Sequence, residues 1–260
     1  MAAGLQFDET LRKALEMAYL TPDIVSARAE VVRALNLQPG ERVLDVGSGP
    51  GFLARDLAGC VGDKGSMRGI DPAENMLEAA RSLCSDQPWA EFDLGDAMEL
   101  PYPDSSFDAV VSTQVYEYVP DLDGAVSEFA RVLRPGGRGV IVDTDWAVPY
   151  WSATDTSVRD QIIEAWREHC AQQAVPMRLS GSIRSANLQI QELKVLPLLN
   201  STYDKNAFSY WVPMIIGAFV LGRNGIEQSD IDSWIAGLGE LERAGGYFFC
   251  INRYMFAVAK

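Results

Sequence analysis

The chain of 260 residues has one histidine and four cysteines, and neither type forms a cluster. Cys60, Cys84, Cys170 and Cys250 make no CxxC pair, so the sequence shows neither a zinc-ligand pattern nor a disulfide framework. Four scattered thiols fit a reducing cytosol. Basic residues are scarce. Lys and Arg number 22 against 36 Asp and Glu, giving a formal net charge of −14 and a pI of about 4.5. A chain this acidic lacks the attraction to phosphate that carries nucleic-acid binding, and no Lys/Arg run supplies a local patch. The same charge argues against docking on anionic membranes. The longest apolar run, residues 207–221, falls short of the ~20 residues a bilayer requires. Pro213 interrupts it, and it reads as buried helix or pocket wall. The opening MAAGLQFDET lacks the basic, apolar and small-residue order of a signal peptide. The expectation is a cytoplasmic protein with a small-molecule partner, and no nucleic-acid or membrane partner.

What is present is ordinary for a soluble globular chain, with 48% hydrophobic and 22% charged residues. The length suits one large domain or a core with an elaboration. Residues 5–37 read as two helices, with Leu11, Leu15 and Tyr19 at helical spacing and Pro22 in the favoured first turn of the second. Strands are expected at 43–46, 66–70, 90–94, 109–112 and 139–143. Helices are expected between them at 52–58, 73–83 and 122–133, the last ended by Pro135-Gly136-Gly137. Such alternation predicts an α/β fold, a parallel sheet with helices on both faces. After Trp146 a helix at 157–171, a strand at 188–199, helices over 206–243 and a strand at 247–259 follow. The expected organisation is a helical cover at 1–40, a ligand-binding core at 41–145 and a sheet-completing, substrate-side region at 146–260, in one compact domain.

The strongest chemical signal is Val43-Leu44-Asp45-Val46-Gly47-Ser48-Gly49-Pro50-Gly51. It ends a strand and opens a helix. Glycines there permit positive φ and a close backbone approach to a ligand, at the sheet edge where ligands bind. The spacing is GxGxG, not the dinucleotide GxGxxG. Asp45, two residues before the first glycine, repels a pyrophosphate and suits a cationic ligand. A tight strand–helix turn alone also uses such glycines. Asp71, in Gly69-Ile70-Asp71-Pro72, can accept from both ribose hydroxyls, or cap a helix that begins at Pro72. Asp96, in Gly95-Asp96-Ala97, can accept from an adenine amino group, or serve as a solvated turn acid. Three acids after three successive strands converge on one edge.

The stretches ERVLDVGSGPG, GIDPAENMLEAAR, GDAMELPYPDSSFDAVVS, EYVPD and RVLRPGGR span residues 41–143. In order and spacing they resemble the class I S-adenosylmethionine-dependent methyltransferases, in particular the small-molecule, quinone-biosynthesis-like group (methyltransferase type 11). The resemblance implies a Rossmann-like, seven-stranded, mostly parallel sheet with an antiparallel last strand and helical lid elements. It implies S-adenosyl-L-methionine as cofactor and S-adenosyl-L-homocysteine as product. Gly47, Ser48 and Gly49 would lie along the methionine portion, and Asp45 would meet its amino group. Asp71 with Pro72 would meet the ribose, Asp96 with Ala97 the adenine, and Met76 would pack near the adenosine. Gln114 would approach the methionine portion and the transferable methyl.

Methyl transfer from a sulfonium requires alignment of nucleophile, methyl and sulfur. It requires a base only where the acceptor must lose a proton. Tyr118 stands where many relatives carry histidine. The one histidine, His169 in AWREHC, reads as a surface helix residue. Glu117 can accept a proton, hold an ammonium group or order its loop. Tyr116 and Tyr118 can orient an acceptor or simply pack. Asp143 and Asp145 can be paired as Mg²⁺ ligands, but the rest of a catechol-type ligand set is missing, so no metal is expected. Tyr19, Arg28, Trp146, Tyr150 and Trp211 are candidates to line the substrate pocket, against helix packing for Tyr19 and a surface ion pair for Arg28. The expected activity is methyl transfer to an N, O or C atom of a small organic molecule. The alternatives are a cofactor-binding module without transfer, and a nicotinamide oxidoreductase, against which the glycine spacing and Asp45 speak.

Overall fold

The structure, a computed structural model, describes residues 9–260. The part of the first expected helix before residue 9 lies outside the described residues. The chain divides into two compact units. A sheet unit comprises Arg28–Thr144, Ala174–Leu196 and Arg253–Lys260. An aromatic unit comprises residues 9–27 together with Asp145–Gln173 and Pro197–Asn252.

In the sheet unit, five strands run parallel: β1 (Arg42–Val46), β2 (Ser66–Asp71), β3 (Ala90–Leu94), β4 (Phe107–Thr113) and β5 (Leu133–Thr144). Their order is β3-β2-β1-β4-β5, which reverses direction beside β1, the switch point where open α/β sheets place ligands. Alternating side chains on the central strands face two cores, as expected for a sheet covered on both sides. Leu44, Val46, Val110 and Ile141 pack with α5 (Leu122–Val132) and α7 (Val175–Ser185). Val43, Val111, Val140 and Val142 pack with α3 (Phe52–Val61) and α4 (Glu74–Leu83). Fully burying each such side chain contributes about 1.5–3 kcal/mol. The sheet continues with β8 (Phe249–Ala259), antiparallel to β5 from Arg138↔Ala259 to Thr144↔Arg253, and β7 (Gln189–Asn200) pairs with β8.

Three local readings are corrected. Helix α5 ends at Val132, before Pro135-Gly136-Gly137 as expected, but β5 begins at Leu133 and not at residue 139, so it includes this stretch, where Gly136 takes a φ of +73° and its amide donates to the carbonyl of Lys260. Gly136 and Gly137 bond to Lys260, one residue past the end of β8. Pro72 lies outside α4: the helix begins at Glu74 with Ala73 as its N-cap. His169 is buried.

Helix α5 shows how local sequence sets a boundary. Asp121 precedes its first residue and accepts from the amide of Gly124 at 3.0 Å. Asp121→Ala is expected to destabilise the protein by about 1 kcal/mol. Urea unfolding would show this as a lower midpoint at unchanged slope, and an unshifted midpoint would deny the cap its role.

The aromatic unit contains α1 (Glu9–Tyr19), the opening of α2 (Pro22–Leu35), α6 (Thr156–Trp166), α8 (Phe208–Val220) and α9 (Gln228–Arg243). To the seven strands expected it adds an eighth, β6 (Tyr150–Trp151), antiparallel to Phe249 and Cys250. Its core holds Trp146, Trp151, Trp166, Phe219, Trp234 and Phe249. The apolar run read as buried helix forms α8, whose buried residues include Pro213. Among the described residues no helix is long and apolar enough to cross a membrane.

Candidate functional site

The carboxyl end of β1 turns through Gly47 and Gly49 at φ of +72° and +52°, a region that favours glycine. The amides of Gly47 and Ser48 both donate to the carbonyl of Ile70, at 2.7 and 3.0 Å, tying the loop to the end of β2. A Cβ on Gly47 would fall 2.2 Å from the Val115 side chain. A Cβ on Gly49 would meet no atom within 4 Å, so this side of the loop has room for a ligand.

Asp71 ends β2 and straddles the loop. One carboxylate oxygen accepts from Gly49 N at 3.0 Å, the other from Ala73 N at 2.9 Å. Burial pushes its carboxyl above the usual range, and the two amides oppose that shift. Asp45 is fully buried, and neither of its oxygens has a hydrogen-bond partner among the described residues. Burial, with the neighbouring charge of Asp71 second, raises its carboxyl to about 8. A buried carboxyl with no donor facing it is costly unless a cation or donor arrives. The hydroxyl of Ser48 is likewise buried without a partner.

The remaining cofactor candidates are in the same unit. Met76 and Ala97 are buried. Asp96 accepts from the amide of Met98 at 2.7 Å, an Asx turn after β3. Gln114 has a φ of +55°, uncommon for a side chain of its size. Two bonds hold it there: its amide donates to the carbonyl of Val142 at 2.7 Å, and its side-chain amide donates to Thr144 Oγ1 at 2.9 Å. Sequence reasoning missed Thr144 and Val115, which support Gln114 and Gly47. No local pattern marks them, because their roles arise across strands.

Tyr116 and Glu117 lie in a 3₁₀ turn, Tyr116–Tyr118, and both are buried, whereas Tyr118 is half-buried. Asp143 Oδ1 accepts from Glu117 N at 3.3 Å. Burial first, then the charge of Glu117, holds the carboxyl of Asp143 well above the usual carboxylate range. Asp145 belongs to the aromatic unit and accepts from Ala147 N at 3.0 Å. Among the described residues no group of three or more His, Cys, Asp or Glu is arranged to hold a metal ion.

Of the candidates for the substrate pocket, Arg28 is in the sheet unit, bonded to Asp56 at 2.7 Å and 5.8 Å from the Phe52 ring centre. The other four are in the aromatic unit. Trp146 is buried edge-on to Trp166 and His169, at 5.5 and 5.4 Å. Tyr150 is 71% exposed. The indole of Trp211 donates to the carbonyl of Lys205 at 2.8 Å. Tyr19 is half-buried against the aromatic core. His169 stacks on Trp166 at 3.6 Å, and its Nδ1 meets the carbonyl of Trp166. Burial lowers its imidazole to about 4, so it stays neutral near pH 7. The apolar spacing around AWREHC gave no sign of this burial.

Residues 44–141 match the family described as a methyltransferase domain. Over that segment the chain is similar to methyltransferase domains, and its fold is Rossmann-like. The demethylmenaquinone methyltransferase of Desulfitobacterium hafniense (strain Y51) is 36% identical over 125 residues, covering 47% of this chain and 49% of that protein. The chain thus spans about half the length of the curated relatives it matches. Phosphoethanolamine N-methyltransferase 2 of Haemonchus contortus, solved with phosphomonomethylethanolamine and S-adenosylhomocysteine, shares the fold. Its TM-score is 0.65 at 18% identity, over 99% of this chain and 59% of that one. The [4+2]-cyclase SpnF does so with a TM-score of 0.60 at 21% identity, over 90% of this chain and 80% of that one.

Proposed function

We propose that the protein is an S-adenosylmethionine-dependent methyltransferase acting on a small organic molecule. The observation that carries this reading is Asp45, a fully buried carboxyl without a donor. It sits two residues before the first glycine of a turn that leaves room beside Gly49. The α-ammonium of the methionine portion supplies the cation that this carboxyl lacks. Gly47, Ser48 and Gly49 line the methionine chain, Asp71 with Pro72 receives the ribose, and Asp96 with Ala97 receives the adenine. Met76 packs at the adenosine, and Gln114 faces the methionine portion. When bound, the cofactor supplies an electrophilic methyl on a positively charged sulfur. The protein's task is then to hold an acceptor in line with that methyl and keep water out. We assign the acceptor to the small molecules and the protein to the cytoplasm.

The cyclase that shares this fold keeps a second reading in view, cofactor binding without transfer, because fold does not fix chemistry. Calorimetric titration with S-adenosylhomocysteine, then release of that product from S-adenosylmethionine across amines, phenols, quinol precursors and carboxylates, separates the two. Saturable binding with turnover of one acceptor class is expected. Binding without turnover on any acceptor favours the second reading. NADH binding without S-adenosylhomocysteine binding would overturn both.

A further inference from the structure

Asp45 shares its face of the sheet with a second polar group, at the end of β5. Asp45, Val111 and Val140 stand in register across β1, β4 and β5. Strand alternation puts Val43, Val142 and Thr144 on the same face. Thr144 ends β5 beyond that row, at the carboxyl edge where the glycine turn opens. It is buried, and its Oγ1 accepts from Gln114 Nε2 at 2.9 Å. Gln114 itself is held at a φ of +55°, which a side chain of its size rarely adopts. Such a conformation persists where the surroundings over-determine it. The bond from Gln114 N to the carbonyl of Val142, at 2.7 Å, ties it to β5 on one side. On the other side the next residue, Val115, sets its side chain directly against Gly47. Gln114 therefore lies between the end of β5 and the glycine turn.

A side-chain amide has a donor end and an acceptor end, and the torsion that exchanges them is soft. Here the NH₂ is committed to Thr144, so the carbonyl oxygen Oε1 points the other way. No described residue donates to that oxygen, and Gln114 is only half-buried. S-adenosylmethionine carries one positive charge on its α-ammonium and one on its sulfur, and Asp45 is the partner of the first. We propose that Thr144 is a positioning residue: it fixes the Gln114 amide with its carbonyl oxygen toward the second charge, so that the site holds the sulfonium of S-adenosylmethionine in preference to the neutral thioether of S-adenosylhomocysteine. This inference rests on the transfer reading above and deepens it. Cofactor and product differ only by the methyl and its charge. An acceptor oxygen gains a charge-assisted contact with the sulfonium and none with the thioether. The contact is thus lost when the methyl leaves, which favours release of the product. A flipped amide would turn its NH₂ on the cation and reverse the preference.

The test has one arm without ligand and one with it. In ligand-free protein the side-chain NH₂ signals of Gln114 are recognised in nitrogen–proton correlation spectra by their absence from Gln114→Glu protein. They should exchange with water more slowly than those of exposed glutamines. Thr144→Val keeps the branched shape and removes the hydroxyl, and should bring them to the exposed rate. Thr144→Ser should keep the slow exchange. Equal exchange in the parent and Thr144→Val overturns the proposal. In the second arm, calorimetric titration compares S-adenosylmethionine with S-adenosylhomocysteine. Thr144→Val should weaken S-adenosylmethionine binding by on the order of tenfold and leave S-adenosylhomocysteine within about threefold of the parent. Thr144→Ser should keep the parent's ratio of the two affinities. Gln114→Glu should raise that ratio, because a full negative charge replaces the carbonyl dipole. An equal loss for both ligands in Thr144→Val would make Thr144 merely structural. A ratio lowered by Gln114→Glu would mean that the amide presents its donor end. Either result overturns the proposal. If the parent binds neither ligand, the transfer reading falls and this one with it. Binding of both with no change of ratio in any variant removes this one alone, so the two failures are told apart.

Discussion

Asp71→Ala protein is expected to bind S-adenosylhomocysteine more weakly than the parent by on the order of 10²–10⁴-fold. Asp71 does two jobs from one position. Its carboxylate holds Gly49 N and Ala73 N at 3.0 and 2.9 Å, which fixes the outer edge of the glycine turn before any ligand arrives. In the proposed complex the same carboxylate receives the ribose hydroxyls. Hydrogen bonds to an ionised group contribute about 1.5–3 kcal/mol each, and every 1.4 kcal/mol is tenfold in affinity. Losing two of them therefore gives a loss in that range. Asp71→Asn isolates the second job: it keeps an acceptor for one amide and loses the charge, so its affinity should lie between those of Ala and Asp. Calorimetric titration on folded protein, with folding checked by circular dichroism, measures both variants. Affinity within about threefold of the parent in the Ala variant would remove Asp71 from the site.

That prediction was approachable from sequence because the glycine turn and its acids are local signals. Gly47 and Gly49 take positive φ as the strand-to-helix spacing required. Asp45 and Asp71 stand at strand ends that apolar runs already marked. The features that escaped sequence reasoning are set by partners distant in the chain. The Pro135-Gly136-Gly137 stretch does mark the end of a helix, yet it also lies within a strand, bonded to Lys260 at the far end of the chain. His169 looks like a surface residue in a mixed helix, yet a stack of aromatic rings encloses it. The division into units joins residues 9–27 with segments more than a hundred positions away, which no hydrophobic period encodes. Asp143 did carry a readable signal, an acid closing a buried strand in the manner of Asp45. Its partnership with Glu117 depends on how the turn after β4 folds back, and that is a tertiary fact.

Asp45→Asn should make the ligand-free protein more stable at neutral and alkaline pH while weakening its hold on the cofactor. The sign follows from the raised carboxyl. In the unfolded chain Asp45 ionises at its ordinary value of 3.8, whereas in the folded chain burial, and then the charge of Asp71, moves it to about 8. Below pH 4 both states hold the proton and Asp45 imposes no cost. As pH rises from about 4 to about 8 the unfolded state releases a proton that the folded state retains. Stability then falls by up to about 1.4 kcal/mol per pH unit until the folded group also ionises. Asn cannot ionise, so the gain from the substitution should be near zero at pH 4 and reach several kcal/mol near pH 8. Urea midpoints measured across that range test the slope. The ligand reverses the balance. An ammonium group against Asp45 favours the ionised carboxyl, so binding of S-adenosylhomocysteine to the parent near pH 6 should release close to one proton from this site. Its affinity should rise with pH until the carboxyl is ionised without help. Titrations in buffers of different ionisation enthalpy count that proton. In Asp45→Asn protein the release should vanish, the pH dependence should flatten and the affinity should drop. If the variant releases the same proton, the cation sits elsewhere, and the central reason for assigning this loop to S-adenosylmethionine is lost. If the proton disappears together with the affinity, the instability stored at Asp45 is what the ligand's positive charge relieves.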